Sequence, residues 1–344
     1  MSILSYEQHT DIADPHELLN KFGIFAGTCG WTIDYNLIDC GTWDTGTGTF
    51  GVGTQTYLMV TSTGATNGQH AAQVMTYQMW SEHRTGGVSG DQGTILIQGR
   101  LNTETKDISD ASVKNDHPIW QADWTTSDTD YYRFWFKGAP PKVWFFGNAH
   151  FLAMCVDNDG LHMSTFCIGC PETFDKTLPF TDCNFIGMYH AVSTNLEWDT
   201  TNSYRGYFYL PFVSNQSAKM FRRADASYVL PDTDRCVWDV FPEWYTSGTS
   251  KIGYSVWSKM EYLFDDDSNQ GGYKMPYSNT RLLYKPMLWI YNNAGGMIPY
   301  GEGPFYWVYI TGLSSGAIIT QGTKEFIVFH GFNQRDMGIA FRIA

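Results

Sequence analysis

The chain has 344 residues, enough to bury a sizeable core in one elaborated domain or two, and 16% of them are aromatic against 17% charged. That balance argues against extended disorder, because aromatic and β-branched side chains favour packed, pleated surfaces. A formal net charge of −13, with Arg222–Arg223 as the one adjacent basic pair, leaves no basic stripe with which to meet nucleic acid or an anionic membrane.

Met1 to His9 contains no basic stretch followed by an apolar run, so no secretory leader is expected. The first clear element is a helix over residues 15–26. Asp14 can cap it, Pro15 suits its first position, and Glu17 stands three residues after the cap. Leu18, Leu19, Phe22 and Phe25 then share one face at helical spacing, and Gly27 and Gly30 mark the exit.

From Trp31-Thr-Ile33 onward, strand and turn signals dominate. Thr56–Thr61 and Ala71–Trp80 are β-rich runs separated by Gly64 and Asn67-Gly68, which predicts a hairpin. Thr94–Ile97 reads as a strand, 102–117 as a polar loop, and Tyr131–Phe136 as a strand buried on both faces. Lys142–Phe146 and His150–Val156 follow. Asp159-Gly160 then predicts a hairpin into Leu161–Ile168. Phe185–Val192 and Gly206–Phe212 are further strands, with Asp199–Ser203 a polar turn between them.

Residues 214–280 differ in texture, with the acidic run Asp265-Asp-Asp267 and the Gly271–Gly272 loop. They predict an irregular lobe inserted after a helix-plus-β domain over 1–213. The strand rhythm returns over 281–344, a β segment expected to complete the main domain. The uncharged stretch Gly303–Gly322 is broken by Pro304, Gly312 and Gly316 and reads as two strands and a turn, not a membrane span. The expected class is mainly β: antiparallel sandwich- or jelly-roll-like sheets, one short amphipathic helix, and no internal repeat.

The motifs of chemistry are mostly missing. No phosphate-binding glycine loop and no G-x-S-x-G elbow is present. His16-Glu17-Leu-Leu-Asn20 approaches a zinc-protease pattern but has Asn20 where the second His is required. Cys155, His162, Cys167 and Cys170 are types that ligate zinc. The Cys-x-x-Cys pair is single, however, and strand alternation sends half of such residues to the wrong face, so thiols buried in strands are the expected reading. Seven cysteines without a leader point to reduced thiols. Asp157-Asn-Asp-Gly160 lacks the spacing and terminal Glu of a calcium loop. Glu197, Glu243 and Glu261 each adjoin an aromatic residue, as expected by chance in so aromatic a chain, and spacing alone cannot pair them as glycosidase carboxylates. Trp238, Trp244 and Trp257 lie in or near expected loops and are candidates for glycan or subunit contact. Neither a catalytic residue nor a cofactor is expected.

Two regions carry a resemblance. Glu17-Leu-Leu-Asn-Lys-Phe22 through Gly30-Trp-Thr-Ile33, with Val143-Trp-Phe-Phe-Gly-Asn-Ala-His150 and Phe151–Val156, resembles uncharacterised tailed-bacteriophage virion proteins of the tail, baseplate and neck type. Arg281–Leu288, Tyr300–Val308, Thr320–Phe329 and Ala340-Phe-Arg342 are similar to the same proteins. The resemblance covers about half the chain and implies a non-catalytic virion subunit, made in the host cytoplasm. Its expected partners are copies of itself, in a trimeric or hexameric ring, and other virion proteins. The alternatives are a receptor- or glycan-binding module at the tail tip and a head decoration protein.

Overall fold

The computed structural model describes residues 3–44, 49–62, 75–84, 92–101, 132–158, 163–169, 172–173, 184–189, 218–221, 236–239, 242–247, 250–255, 283–285, 287–291, 297–302, 305–310, 312–330 and 337–344. A first strand, β1 (Ser5–Thr10), leads into α1 (Pro15–Thr28). Next come β2 (Thr32–Asp44), β3 (Thr49–Val52), β4 (Gln55–Thr61), β5 (Met75–Arg84), β6 (Gln92–Leu101) and β7 (Tyr132–Lys137). They form a first antiparallel sheet in the order β3-β2-β4-β5-β6-β7.

β8 (Lys142–Asn148), β9 (Phe151–Asp157) and β10 (Met163–Gly169) follow, then β11 (Glu172–Thr173), β12 (Asn184–Tyr189) and β13 (Ala218–Phe221). All but β11 join β1 in a central sheet ordered β1-β8-β9-β10-β12-β13. The last stretch contributes β14 (Cys236–Asp239), β15 (Pro242–Ser247), β16 (Ser250–Ser255), β17 (Leu283–Tyr284), β18 (Met287–Tyr291) and β19 (Met297–Glu302). It ends with β20 (Phe305–Tyr309), β21 (Ala317–Gln321), β22 (Lys324–His330) and β23 (Met337–Arg342). A third sheet runs β17-β20-β23-β22-β21; β11, β19, β18 and β14 form a smaller one, and β15 pairs with β16. The protein is mainly β, antiparallel and sandwich-like, with one helix among the described residues. None of these is a helix long and apolar enough to cross a membrane.

The helix starts where its capping signals stand. Asp14 is extended at φ −163°, and its Oδ1 accepts from the N–H groups of His16 and Glu17, each at 2.8 Å. Glu17 Oε2 reaches back to the Ala13 N–H at 2.8 Å. The helix runs to Thr28, two residues past expectation. Gly27 stays helical, and the chain turns at Gly30, whose φ of +91° suits a residue without Cβ.

The apolar face of α1 lies between two sheets. Leu18, Leu19, Phe22 and Phe25 share one core with Leu58, Val60, Tyr77, Met79, Ile95 and Ile97 of the first sheet, and with Val143, Phe145, Leu152, Met154, Val156, Phe166 and Ile168 of the central sheet. Alternation sends the neighbouring residues of β8 the other way. Phe146 stacks on Phe341 at 4.4 Å and meets Phe329 edge-on at 5.6 Å, while Trp144 meets Phe329 at 5.1 Å, all against the third sheet. Gly316, at φ +83°, allows this approach, since a Cβ there would fall 2.7 Å from Trp144 Cζ2.

A sheet covered on both faces needs continuous apolar runs instead of alternation. Val143-Trp-Phe-Phe146 and Phe151–Val156 are such runs, and every residue of β9 and β10 is buried. The predicted hairpins form, with β4 pairing β5 from Thr61↔Thr76 and β9 pairing β10 from Asp157↔Met163. The sequence carries no local signal for β1: Ser-Tyr-Glu-Gln-His-Thr is polar, and β8 gives it a partner over six register pairs.

In the segment 214–280, β13 continues the central sheet beside β12, and β14 pairs with β18. Backbone pairing thus ties this segment to strands on both sides of it. The expected loop at 102–117, the turn at 199–203, the strand at 206–212 and the runs at 265–267 and 271–272 lie outside the described residues.

Because Phe146 holds two sheets together, Phe146→Ala is expected to cost about 3–5 kcal/mol, the range for truncating a buried aromatic. Urea unfolding measures this. A loss below about 1 kcal/mol would mean that the third sheet is not anchored through this ring.

Candidate functional site

Of the four zinc-type residues, Cys155 and Cys167 are described and fully buried, while His162 and Cys170 lie outside the described residues. Cys155 is paired with Thr165, and Cys167 stands two residues beyond Thr165 on the same strand, so the thiols share a face. It is the face of Trp144, which pairs with Cys155, and it looks toward the third sheet. Thr165 Oγ1 lies 3.6 Å from Cys155 Sγ, and burial pushes the Cys155 pKa far up, which keeps the thiol protonated. Burial likewise raises Cys29 to about 11. Among the described residues no group of three His, Cys, Asp or Glu is placed to hold a metal.

Neighbouring side chains on the predicted turn are structural. Asn158 Oδ1 accepts the Lys137 N–H at 2.9 Å, and its Nδ2 donates to Ser164 Oγ at 3.0 Å. Asn148 Oδ1 accepts from the N–H groups of His150 and Phe151, closing the turn between β8 and β9. Trp238 sits on β14 opposite Leu288 and Trp244 on β15 opposite Gly253, so these two occupy paired strands and not the expected loops. Trp257 lies outside the described residues, as do Glu197 and Glu261.

One constellation has no local signal in the sequence. His16 Nδ1 lies 2.7 Å from Ser81 Oγ, across 65 residues of chain. A serine held by a histidine suggests a nucleophile and its base. Here the oxygen is already committed: it accepts the Thr56 N–H at 2.8 Å and lies 3.1 Å from Thr56 O. Ser81 is fully buried, with no face open to a substrate. Thr56 Oγ1 closes the group by donating to His16 O at 3.0 Å. The arrangement braces the start of α1 against β4 and β5.

Burial pushes the His16 pKa down; Asp14 opposes this, the His83 ring 6.0 Å away adds to it, and Asp39 opposes it. Burial also lowers His150.

Among the described residues the open features are the sheet edges. β1 ends the central sheet and β21 ends the third. Among described residues, five large apolar side chains are exposed: Ile3, Tyr6, Ile24, Ile38 and Ile318. Tyr6 lies on β1, Ile3 just before it, and Ile318 on β21. Two of the five therefore sit on edge strands and a third precedes one, where backbone N–H and C=O groups can pair with another chain.

Fold and site together define a mainly β protein of stacked antiparallel sheets. No protein-family model and no curated protein matches this chain.

Two outcomes are expected. Iodoacetamide applied to the native protein should leave Cys155 and Cys167 unlabelled and modify both after denaturation, as read by peptide mass spectrometry; native labelling would contradict the buried placement. The fold should also lose stability on acidification. A histidine whose folded pKa lies below 6.5 contributes its full share above that pH and loses it as pH falls through the folded value. Thermal unfolding from pH 7.5 down to 5 (a window set by the ordinary histidine pKa of about 6.5) should show a falling Tm, with a shallower fall in His16→Asn. Equal slopes would remove His16 from the explanation.

Proposed function

We propose that this chain is a non-catalytic structural subunit of a tailed-bacteriophage particle, placed in the tail, baseplate or neck and assembling through protein–protein contacts. The observation that carries this reading is the presence of exposed apolar side chains on edge strands, Tyr6 on β1 and Ile318 on β21, with exposed Ile3 just ahead of β1. Edge strands offer a row of backbone donors and acceptors, and apolar side chains beside them add area to a subunit contact.

The resemblance of Val143–Val156 and of the C-terminal third to virion proteins supports the same reading. So does the commitment of Ser81, His16 and the buried thiols to packing. Identical copies joined edge to edge in head-to-tail fashion close into a ring when the rotation permits, which suits a trimeric or hexameric component.

Quantitative mass spectrometry of purified particles tests this. The expected copy number is a small fixed multiple of three or six relative to known virion proteins. Hundreds of copies would move the chain to the head surface or tail tube. Absence from the particle would overturn the proposal and leave glycan binding to be tested.

A further inference from the structure

We propose that β1 is exchanged between copies of this chain, the Ser5–Thr10 strand of each copy pairing with the β8 edge of its neighbour and Asp11 acting as the hinge. This rests on the reading of the chain as an assembling subunit and names the contact through which copies join.

The edge that β1 covers cannot be left bare. β8 carries Val143, Trp144, Phe145 and Phe146, all buried, and both adjoining cores depend on them. The strand that covers it is different in kind. Four of its six residues are exposed and none is fully buried. Its side-chain ties are modest: His9 against Phe145 at 4.9 Å, Tyr6 over Phe146 at 6.3 Å, and Gln8 Oε1 accepting from Trp144 Nε1 at 3.2 Å. The backbone ladder, six register pairs long, does most of the holding. Any copy of the same strand supplies the same ladder, so exchange needs no new complementarity.

The connection to the rest of the molecule is short and strained. Thr10 ends β1, Ile12 is already buried in the core, and Asp14 caps α1. Asp11 alone makes the turn, at φ +57°, in the left-handed region that residues other than glycine seldom occupy. Its N–H bonds to Pro141 O at 3.3 Å, which keeps the turned chain against the segment that leads into β8. Short hinges under strain favour exchange, because extending the hinge relieves it while every other contact re-forms in the partner. Leu4, buried and bonded through its N–H to Arg342 O at 3.1 Å, would travel with β1 and seat against the neighbour's β23.

The register supplies the test. Thr10 and Lys142 are exposed and directly opposite. A chain carrying Thr10→Cys under one tag is co-expressed with a chain carrying Lys142→Cys under another, then oxidised mildly. A disulfide between these two positions can form only across chains. The expected result is a mixed-tag covalent dimer on non-reducing gels, absent when either substitution is omitted. Adding Asp11→Gly to both chains, which makes the left-handed turn comfortable, should lower its yield several-fold. Failure to form the mixed-tag dimer, or a yield indifferent to Asp11→Gly, overturns the inference. Because the measurement uses purified protein, its outcome is separable from that of particle mass spectrometry. A chain found in particles but not cross-linked assembles through another surface, and a cross-linked chain missing from particles exchanges strands outside a virion.

Discussion

Phe145 and Phe146 are chain neighbours on one strand, so the pleat forces them to opposite faces of the central sheet. Phe145 meets Phe22 at 5.4 Å and Phe25 at 5.6 Å beneath the helix. Phe146 lies flat on Phe341 at 4.4 Å, with 13° between the rings, beneath the third sheet. One dipeptide thus belongs to both interlayer cores. The first sheet and helix are held on one side of β8 and the C-terminal strands on the other, and both arrangements depend on β8 remaining a strand in this register. A slip of one residue would exchange the two rings and unmake both cores.

That dependence explains the treatment of polar groups around the central sheet. Buried hydroxyls and amides are costly unless paired. Asn158, Asn148, Ser81 and Thr56 each meet backbone or side-chain partners near strand ends and at the start of the helix. These are the positions where a sheet runs out of its own ladder partners. The His16–Ser81 contact belongs with them. It has the distance of a catalytic pair and the surroundings of a brace, and the Thr56 N–H already bonded to the serine oxygen decides between the two. Cys155 and Cys167 follow the same logic, as small apolar groups filling a face that looks toward Trp144 and the third sheet.

What remains unspent is the edge. Open sheets end on strands paired on one side only, and among the described residues the three stacked sheets end on several such strands. Natural proteins usually protect edges with charge, proline or brevity. β21, Ala-Ile-Ile-Thr-Gln, has neither charge nor proline and exposes Ile318. β1 protects β8 but is attached through a single left-handed Asp. The proposed assembly would draw on both features: a surface that accepts a strand, and a strand that can be given.

Much of this was legible in the amino-acid order. The Asp14-Pro15 start, the Leu18–Phe25 face and the strand pairs around residues 61–76 and 157–163 depend on neighbours within about twenty residues, where capping chemistry and alternation act directly. The helix runs two residues past the length its spacing predicts, because Gly27 is a breaker only where the backbone leaves the helix, and that happens at Gly30. The apolar run Val143–Phe146 announced burial on both sides but could not say what would cover each side. Tertiary structure alone decided that α1 lies over Phe145 and β23 over Phe146. It also made a strand of polar Ser5–Thr10 and brought His16 to Ser81. Each of these joins residues far apart in the chain, and the free energy that selects them comes from layers packing together, to which no local pattern of side chains responds.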